Sequence, residues 1–162
     1  MNISKPLTCF KAYDVRGKLG AELNENIAYR IGHATANILK AKTVVLGFDA
    51  RATSPNLAQS VARGISDTGA DVLEIGLAGT EEMYAAVSEF GACAGIEVTA
   101  SHNPIEYNGM KIVKRGSQPL SDQEFSHIKH LAEQNNSIVT VRPGLLTDTR
   151  SIARETYIEK VI

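Results

Sequence analysis

One loop carries the residues best suited to chemistry, and it reads Thr99-Ala100-Ser101-His102-Asn103-Pro104. A serine hydroxyl can accept and donate a phosphoryl group when cations neutralise the transferring oxygens and a neighbouring group exchanges the substrate proton. Ser101 and His102 do not resemble a serine-hydrolase pair, because no G-x-S-x-G turn surrounds the serine and the histidine must face it. The loop therefore favours phosphoryl transfer over acyl transfer.

Two cationic side chains could serve the same site. Lys111 follows Asn108-Gly109, shortly after the serine, and Arg16 precedes a glycine that allows close approach of an anion. The alternative for Lys111 is a solvated lysine on a strand edge, and the alternative for Arg16 is a surface ion pair with Asp14. In open α/β sheets, ligands collect at loops that follow the carboxyl ends of strands. We predict four such loops, at residues 14–17, 49–54, 76–80 and 99–108.

The elements that must position these loops alternate between short apolar strands and amphipathic helices. We expect strands at 10–13, 43–48, 72–75, 94–98 and 110–113. We expect helices at 25–40 behind an Asn24 cap, from an N-cap at Ser54 to about Gly69, at 80–90, and from a Ser121–Glu124 capping box to about residue 135. This order predicts an α/β layered domain with a mixed, mostly parallel sheet flanked by helices, in which strands 94–98 and 110–113 are antiparallel.

Composition narrows the class of partner. Seventeen basic and eighteen acidic residues give a formal net charge of −1 without blocks of one sign, which argues against nucleic-acid and membrane partners. Cys9 and Cys93 lack metal-ligand spacing and are expected to be free thiols. The amino terminus lacks a signal peptide and no apolar run could span a membrane, so we expect a cytoplasmic protein. We assign residues 1–150 to one domain and 151–162 to the start of a following, truncated segment.

Several segments together resemble the α-D-phosphohexomutase family. They are Phe10-Lys11-Ala12-Tyr13-Asp14-Val15-Arg16-Gly17, the serine loop at 99–104, and Tyr107-Asn108-Gly109-Met110-Lys111. Their order, their spacing and the intervening α/β pattern also agree, so the resemblance covers nearly the whole chain up to Ser121. Gly79-Thr80-Glu81-Glu82-Met83 is similar to the phosphomannomutase branch of the family. The resemblance implies the α/β/α domain I of such an enzyme.

The resemblance also implies roles for individual residues. Ser101 would be phosphorylated in the resting enzyme, and its phosphate would be one ligand of an essential Mg²⁺. Lys111 would act as a general acid–base, with His102 as a further catalytic residue of the loop. Tyr13, Arg16 and Asn103 would bind substrate. The family's aspartate-rich D-G-D-x-D-R metal loop has no counterpart in this sequence, so the other Mg²⁺ ligands are expected outside this chain.

The implied activity is that of an isomerase, an intramolecular phosphotransferase that interconverts mannose 6-phosphate and mannose 1-phosphate through a hexose 1,6-bisphosphate. Such a reaction leads towards GDP-mannose and surface polysaccharides. One alternative is the same chemistry on glucose phosphate, or on both sugars. An alternative of another class is a non-catalytic module that binds sugar phosphates or proteins and leaves Ser101 unphosphorylated. We expect a phosphoserine-bearing fragment that is inactive without the remaining domains of the full-length enzyme.

Overall fold

The computed structural model describes residues 5–135, 139 and 142–161 of the chain. Residues 1–4, which belong to the amino terminus predicted to lack a signal peptide, lie outside this part. So does Ile162, the last residue of the predicted segment 151–162. A seven-stranded sheet organises the fold, in the order β1-β5-β4-β2-β3-β7 with β6 beside β5. The strands are β1 (Val15–Lys18), β2 (Thr43–Phe48), β3 (Asp71–Leu77), β4 (Ala94–Val98), β5 (Tyr107–Lys114), β6 (Gln118–Pro119) and β7 (Leu146–Asp148).

The sheet is mixed, as predicted. Strand β2 runs parallel to both β3 and β4, and β7 runs parallel to β3. Strand β5 is antiparallel to β4, which confirms the predicted antiparallel pair, and it is also antiparallel to β1 and β6. The short step from β4 to β5 contains no helix, so the chain reverses direction there instead of crossing over.

Helices cover both faces of this sheet. They are α1 (Glu25–Ile38), α2 (Ser54–Ser66), α3 (Thr80–Phe90), α4 (Asp122–Glu133) and α5 (Arg150–Val161). The alternation along β2 shows why both faces need cover, because Val44 and Leu46 pack with α1, α2 and α4, whereas Val45 packs with α3. Helix α5 lies against α3. No helix among the described residues is long and apolar enough to cross a membrane.

The ends of the helices test the predicted caps. The Asn24 side chain accepts from the Ile27 amide at 2.9 Å, and Ser121 and Glu124 form the predicted capping box. The Ser54 cap is wrong: the N-cap of α2 is Thr53, which makes no side-chain cap hydrogen bond, and Ser54 is the first helical residue. The Ser54 hydroxyl donates instead to Asp49 Oδ1 at 2.5 Å, in the loop that precedes the helix.

The first predicted strand is also misplaced. Residues 10–13 contribute only an isolated bridge from Phe10 to Val15, because the Lys11 amide donates to the Asp14 carbonyl and closes a turn. The strand is Val15–Lys18, in which Val15 and Gly17 are buried and the two cationic residues are exposed. The segment 14–17 is therefore mostly strand and does not form a loop at the carboxyl end of one.

Candidate active site

Two loops meet at one edge of the sheet. We call residues 99–106, after β4, the serine loop, and residues 49–53, after β2, the arginine loop. Because β2 and β4 are parallel neighbours, their carboxyl ends share this edge. Ser101 is exposed to solvent and has a φ of 55°, in the left-handed region. A residue other than glycine in this region costs on the order of 1–3 kcal/mol, so the surrounding structure must hold it there.

Arg51 makes the principal contacts between the two loops. Its guanidinium donates to four backbone carbonyls, at 2.8 Å to Pro104, at 3.1 Å to Tyr107 and Ser101, and also to Asn103. The Arg51 side chain is only 16% exposed, and its Nε lies 3.7 Å from Asp49 Oδ2. The planar, multi-donor geometry of arginine suits such a set of acceptors. Arg51 therefore holds the backbone carbonyls of the serine loop in place.

A buried amide on β5 forms a second link to the arginine loop and to the start of α2. Asn108 is fully buried at the start of β5, and its Nδ2 donates to Thr53 Oγ1 at 2.9 Å and to Ser54 Oγ at 3.0 Å. Its Oδ1 accepts from the Gly109 amide at 2.8 Å. A β-carbon at Gly109 would lie 1.9 Å from the Val15 carbonyl oxygen, so only glycine allows β1 this close to β5. Buried polar groups with partners on both sides make the geometry of this edge specific.

The structure brings four of the predicted site residues together in two groups, whereas Arg16 and His102 line neither of the two cavities. Ser101 and Asn103 line a cavity of about 550 Å³ that Asp49 and Arg51 also line. The Asn103 side chain donates to the Ala100 carbonyl at 2.7 Å and so also holds the loop in shape. His102 is exposed in the same loop. This first group could present the Ser101 hydroxyl to a phosphoryl donor at a shallow surface that is open to solvent.

The second group lies further along β5. Tyr13 and Lys111 line a cavity of about 340 Å³ together with Asp14 and Tyr84. Tyr13 is 87% exposed. Arg16 Nε lies 3.1 Å from Asp14 Oδ1, so the ion pair considered as its alternative is present, although Arg16 remains 44% exposed. Tyr13 and Lys111 therefore lie close enough to contact one ligand.

Glu97 is a buried acid between these two groups. It faces Lys111 in the register of β4 and β5, and its Oε1 would lie 2.5 Å from a β-carbon at Gly47. It is fully buried, and neither carboxyl oxygen has a hydrogen-bond partner within the described part of the chain. Burial is the largest cause that raises the pKa of Glu97 to about 9, and the charges of Asp49 and Glu82 contribute the rest of that rise. Glu97 is therefore a neutral acid at neutral pH.

The residues present do not by themselves fit a divalent cation. Across residues 5–135, 139 and 142–161, no group of three or more histidine, cysteine, aspartate or glutamate side chains could hold a metal ion. Mg²⁺ prefers carboxylates and phosphate oxygens. The Ser101 hydroxyl could contribute only after phosphorylation, as one ligand.

Three residues of this edge are not identified by sequence reasoning. Arg51 has no assigned role beyond its own loop, and Asn108 and Glu97 have none at all. A usable signal exists for Arg51, because Asp49-Ala50-Arg51 follows a strand predicted to neighbour the one that leads to Ser101. Glu97 also carries a signal, since it is a single acid within an otherwise apolar buried strand.

Comparison with known proteins decides the family. The family model described as phosphoglucomutase/phosphomannomutase, alpha/beta/alpha domain I, matches residues 8–138. The chain belongs to this family. All six predicted site residues fall inside the match, and so do the arginine loop and Glu97. The predicted fold class, an α/β domain I of a phosphohexomutase, is confirmed.

Relatives in the phosphoglucomutase/phosphomannomutase family are similar in sequence and structure. A phosphomannomutase of Escherichia coli K12 is 57% identical over 133 residues, which are 82% of this chain and 29% of that protein. A phosphomannomutase of Klebsiella pneumoniae is 57% identical over 130 residues, 80% of this chain and 83% of that sequence. A crystal structure of a family protein from Burkholderia thailandensis has a TM-score of 0.82 at 30% identity, covering 94% of this chain and 35% of that one. The chain thus spans about a third of the length of the longer relatives.

Proposed function

We propose that this chain carries the phosphoserine of a phosphomannomutase that interconverts mannose 6-phosphate and mannose 1-phosphate. The observation that supports it best is the exposed, left-handed Ser101 on a loop whose carbonyls Arg51 holds. Phosphoryl transfer depends mainly on positioning and charge neutralisation, and a preformed serine loop supplies the positioning. The relatives named phosphomannomutase support the choice of reaction.

In the proposed cycle, the phosphoryl group leaves Ser101 Oγ for the free C1 or C6 hydroxyl of a hexose phosphate. The P–O bond to serine breaks, a P–O bond to the sugar forms, and the hydroxyl proton passes to the general base. The resulting 1,6-bisphosphate reorients and returns its other phosphoryl group to Ser101. A proton is then delivered to the sugar oxygen that is released. Each turnover therefore regenerates phosphoserine.

Lys111 is the proposed group that exchanges these protons. Its position in a cavity with Tyr13 and Asp14 supports contact with the substrate. Arg16 and Tyr13 would bind the sugar phosphate, while His102 and Asn103 would line the serine loop. The neutral Glu97 opposite Lys111 adds no negative charge there, which favours an anionic ligand at this end of the site.

We further propose that a phosphorylated Ser101 would supply one ligand to Mg²⁺ and that the remaining domains of a full-length enzyme would supply the others. The ion, when bound, would contribute charge neutralisation at the phosphoryl group. Residues 1–150 would be domain I, and 151–162 the start of the following segment. No residue of α5 (Arg150–Val161) is buried, which sets it apart from α1 to α4. Cytoplasmic location and a role towards GDP-mannose and polysaccharide belong to the same proposal.

The second candidate is phosphoglucomutase activity, alone or beside the mannose reaction. It is favoured by the matching family model, whose description joins both enzymes. The chemistry at Ser101 would be the same, since the phosphoryl group moves between the same two carbons. The difference lies in contacts to the sugar hydroxyls.

The test is turnover measured by ³¹P NMR with mannose 6-phosphate and, separately, glucose 6-phosphate, primed with hexose 1,6-bisphosphate and Mg²⁺. The full-length enzyme should form the 1-phosphate, the chain of 162 residues alone should have little or no turnover, and Ser101→Ala should abolish it in both. Equal turnover by the short chain would show that the active site is complete within it. Absence of turnover by the full-length enzyme on both sugars would contradict the proposed reaction.

A further inference from the structure

We propose that Arg51 is a positioning residue that holds Ser101 in its left-handed backbone conformation. Its meaning for catalysis rests on the proposed function of Ser101, but the structural claim does not. The four carbonyls bound by the Arg51 guanidinium include that of Ser101 and those of Asn103 and Pro104 just after it. Arg51 therefore fixes the direction of the chain after Ser101.

The backbone before Ser101 is held by hydrogen bonds that do not involve Arg51. The Ser101 amide donates to Thr99 Oγ1 at 3.1 Å, and the Thr99 amide donates to the Gly109 carbonyl at 2.9 Å. Thr99 is buried and directly follows the last residue of β4. Thr99 is fixed before Ser101, and Arg51 holds the carbonyls of Ser101 and of the residues that follow it. The backbone of Ser101 must therefore turn sharply between two anchored points. A positive φ is one way to make that turn.

Asp49 supports Arg51 in this role. Its Oδ1 accepts from the Arg51 amide at 3.1 Å, and its Oδ2 faces the guanidinium. Because the same carboxylate also accepts from Ser54, at the first turn of α2, the arginine loop is tied to a helix. The Arg51 side chain is thus anchored at its base before it reaches the serine loop. Less side-chain entropy is then lost when its four hydrogen bonds form.

Lysine cannot reproduce these contacts, although it keeps the charge. Its ammonium group has three donors at a single point, whereas the carbonyls of Pro104, Tyr107, Ser101 and Asn103 are distributed around a planar guanidinium. In Arg51→Lys, the serine loop should therefore lose part of its restraint. Ser101 should then relax towards a negative φ, which any residue adopts without strain.

The experiment combines Arg51→Lys with Ser101→Gly in the unphosphorylated chain. Glycine adopts a positive φ without strain, so Ser101→Gly alone should raise the thermal midpoint by about 2–4 °C. In the Arg51→Lys background this gain should fall by at least half, because the strain has already been released. The control is Arg115→Lys, another arginine that donates to a backbone carbonyl, that of Gly91 at 3.3 Å, and it should leave the gain unchanged.

NMR scalar couplings that report the φ of Ser101 provide the second readout. The parent chain and Arg115→Lys should show a positive φ, and Arg51→Lys should show a shift towards negative values. If Arg51→Lys does not fold, Asp49→Asn replaces it, since it removes only the charge beside the guanidinium and should reduce the gain in part. An equal gain from Ser101→Gly in all backgrounds, or a negative φ in the parent, would overturn the proposal. Neither result depends on mutase activity.

Discussion

A protonated glutamate at the centre of a sheet makes stability depend on pH. Glu97 keeps its proton in the folded chain up to a pKa of about 9, whereas the unfolded chain releases it near the ordinary 4.5. Between these values the folded state holds one proton more than the unfolded state. The contribution of Glu97 to stability is therefore fully present below the lower value and is lost as pH rises through the window.

Glu97→Gln should remove this dependence, because the amide has a similar shape and does not titrate. Relative to the variant, the parent should lose about 1 kcal/mol of unfolding free energy per pH unit between roughly pH 5 and pH 8. Urea denaturation at several pH values measures it. Glu81→Gln, an exposed glutamate at the start of α3, is the control. Parallel pH profiles for the parent and Glu97→Gln would show that Glu97 is ionised in the folded protein.

Lys111→Met tests the proposed proton exchange in the full-length enzyme. Methionine keeps the apolar stem and removes the charge, so kcat should fall by roughly 10²- to 10⁴-fold, while Ser101 phosphorylation by bisphosphate survives in part. Steady-state kinetics beside a thermal melt measures both effects. Lys114→Met, on the same strand and paired with Glu124 at 2.9 Å, should leave kcat near the parent value. A near-normal kcat in Lys111→Met would remove Lys111 from the mechanism.

At the scale of elements, the close contact of β1 with β5 depends on Gly109. Gly109→Ala would bring a β-carbon to 1.9 Å from the Val15 carbonyl oxygen, so the two strands must separate. We expect a loss of roughly 1–3 kcal/mol in unfolding free energy, measured by urea denaturation. Gly79→Ala is the matched control, since nothing lies within 4 Å of its β-carbon. Equal losses in the two variants would mean that the strand contact is unimportant.

Elements with a strong local signal could be predicted from the sequence. Strand β2, strand β4 and helix α3 have the predicted bounds, since each combines an apolar pattern with residues that end a helix or strand. Gly91, for example, ends α3 with a φ of 61°. The first strand could not be placed, because its position depends on pairing with β5 far along the chain. The Ser54 cap failed for a different reason, since its hydroxyl donates to the Asp49 carboxylate five residues earlier and accepts from the distant Asn108 amide.

The site could be predicted only in part. The type and spacing of residues around Ser101 are enough to predict a candidate reactive loop, because the motif is local. The role of Arg51 is not local: its carbonyl partners begin fifty residues later and come together only when β2 and β4 pair. The sequence also contains no information about cavities, so it does not separate Ser101 and Asn103 from Tyr13 and Lys111.

At the scale of the whole molecule, the chain supplies one layered domain of a multidomain family. It spans 29% of the Escherichia coli phosphomannomutase to which it is 57% identical. The domain contains a serine held in a left-handed conformation and two groups of candidate binding residues. No cluster of metal-binding carboxylates lies within its described residues. Under the proposed function, phosphoryl acceptance by Ser101 and complete turnover would therefore be separable, and each can be measured alone.

Phosphorylation of Ser101 is the property on which the whole account depends. The measurement is intact mass followed by peptide mapping, on protein isolated from cells and on protein exposed to hexose 1,6-bisphosphate, with Ser101→Ala as the control. We predict one phosphoryl group on Ser101 in part of the population and none in the control. Phosphate found only on other residues, with Ser101 free in every sample, would contradict the account.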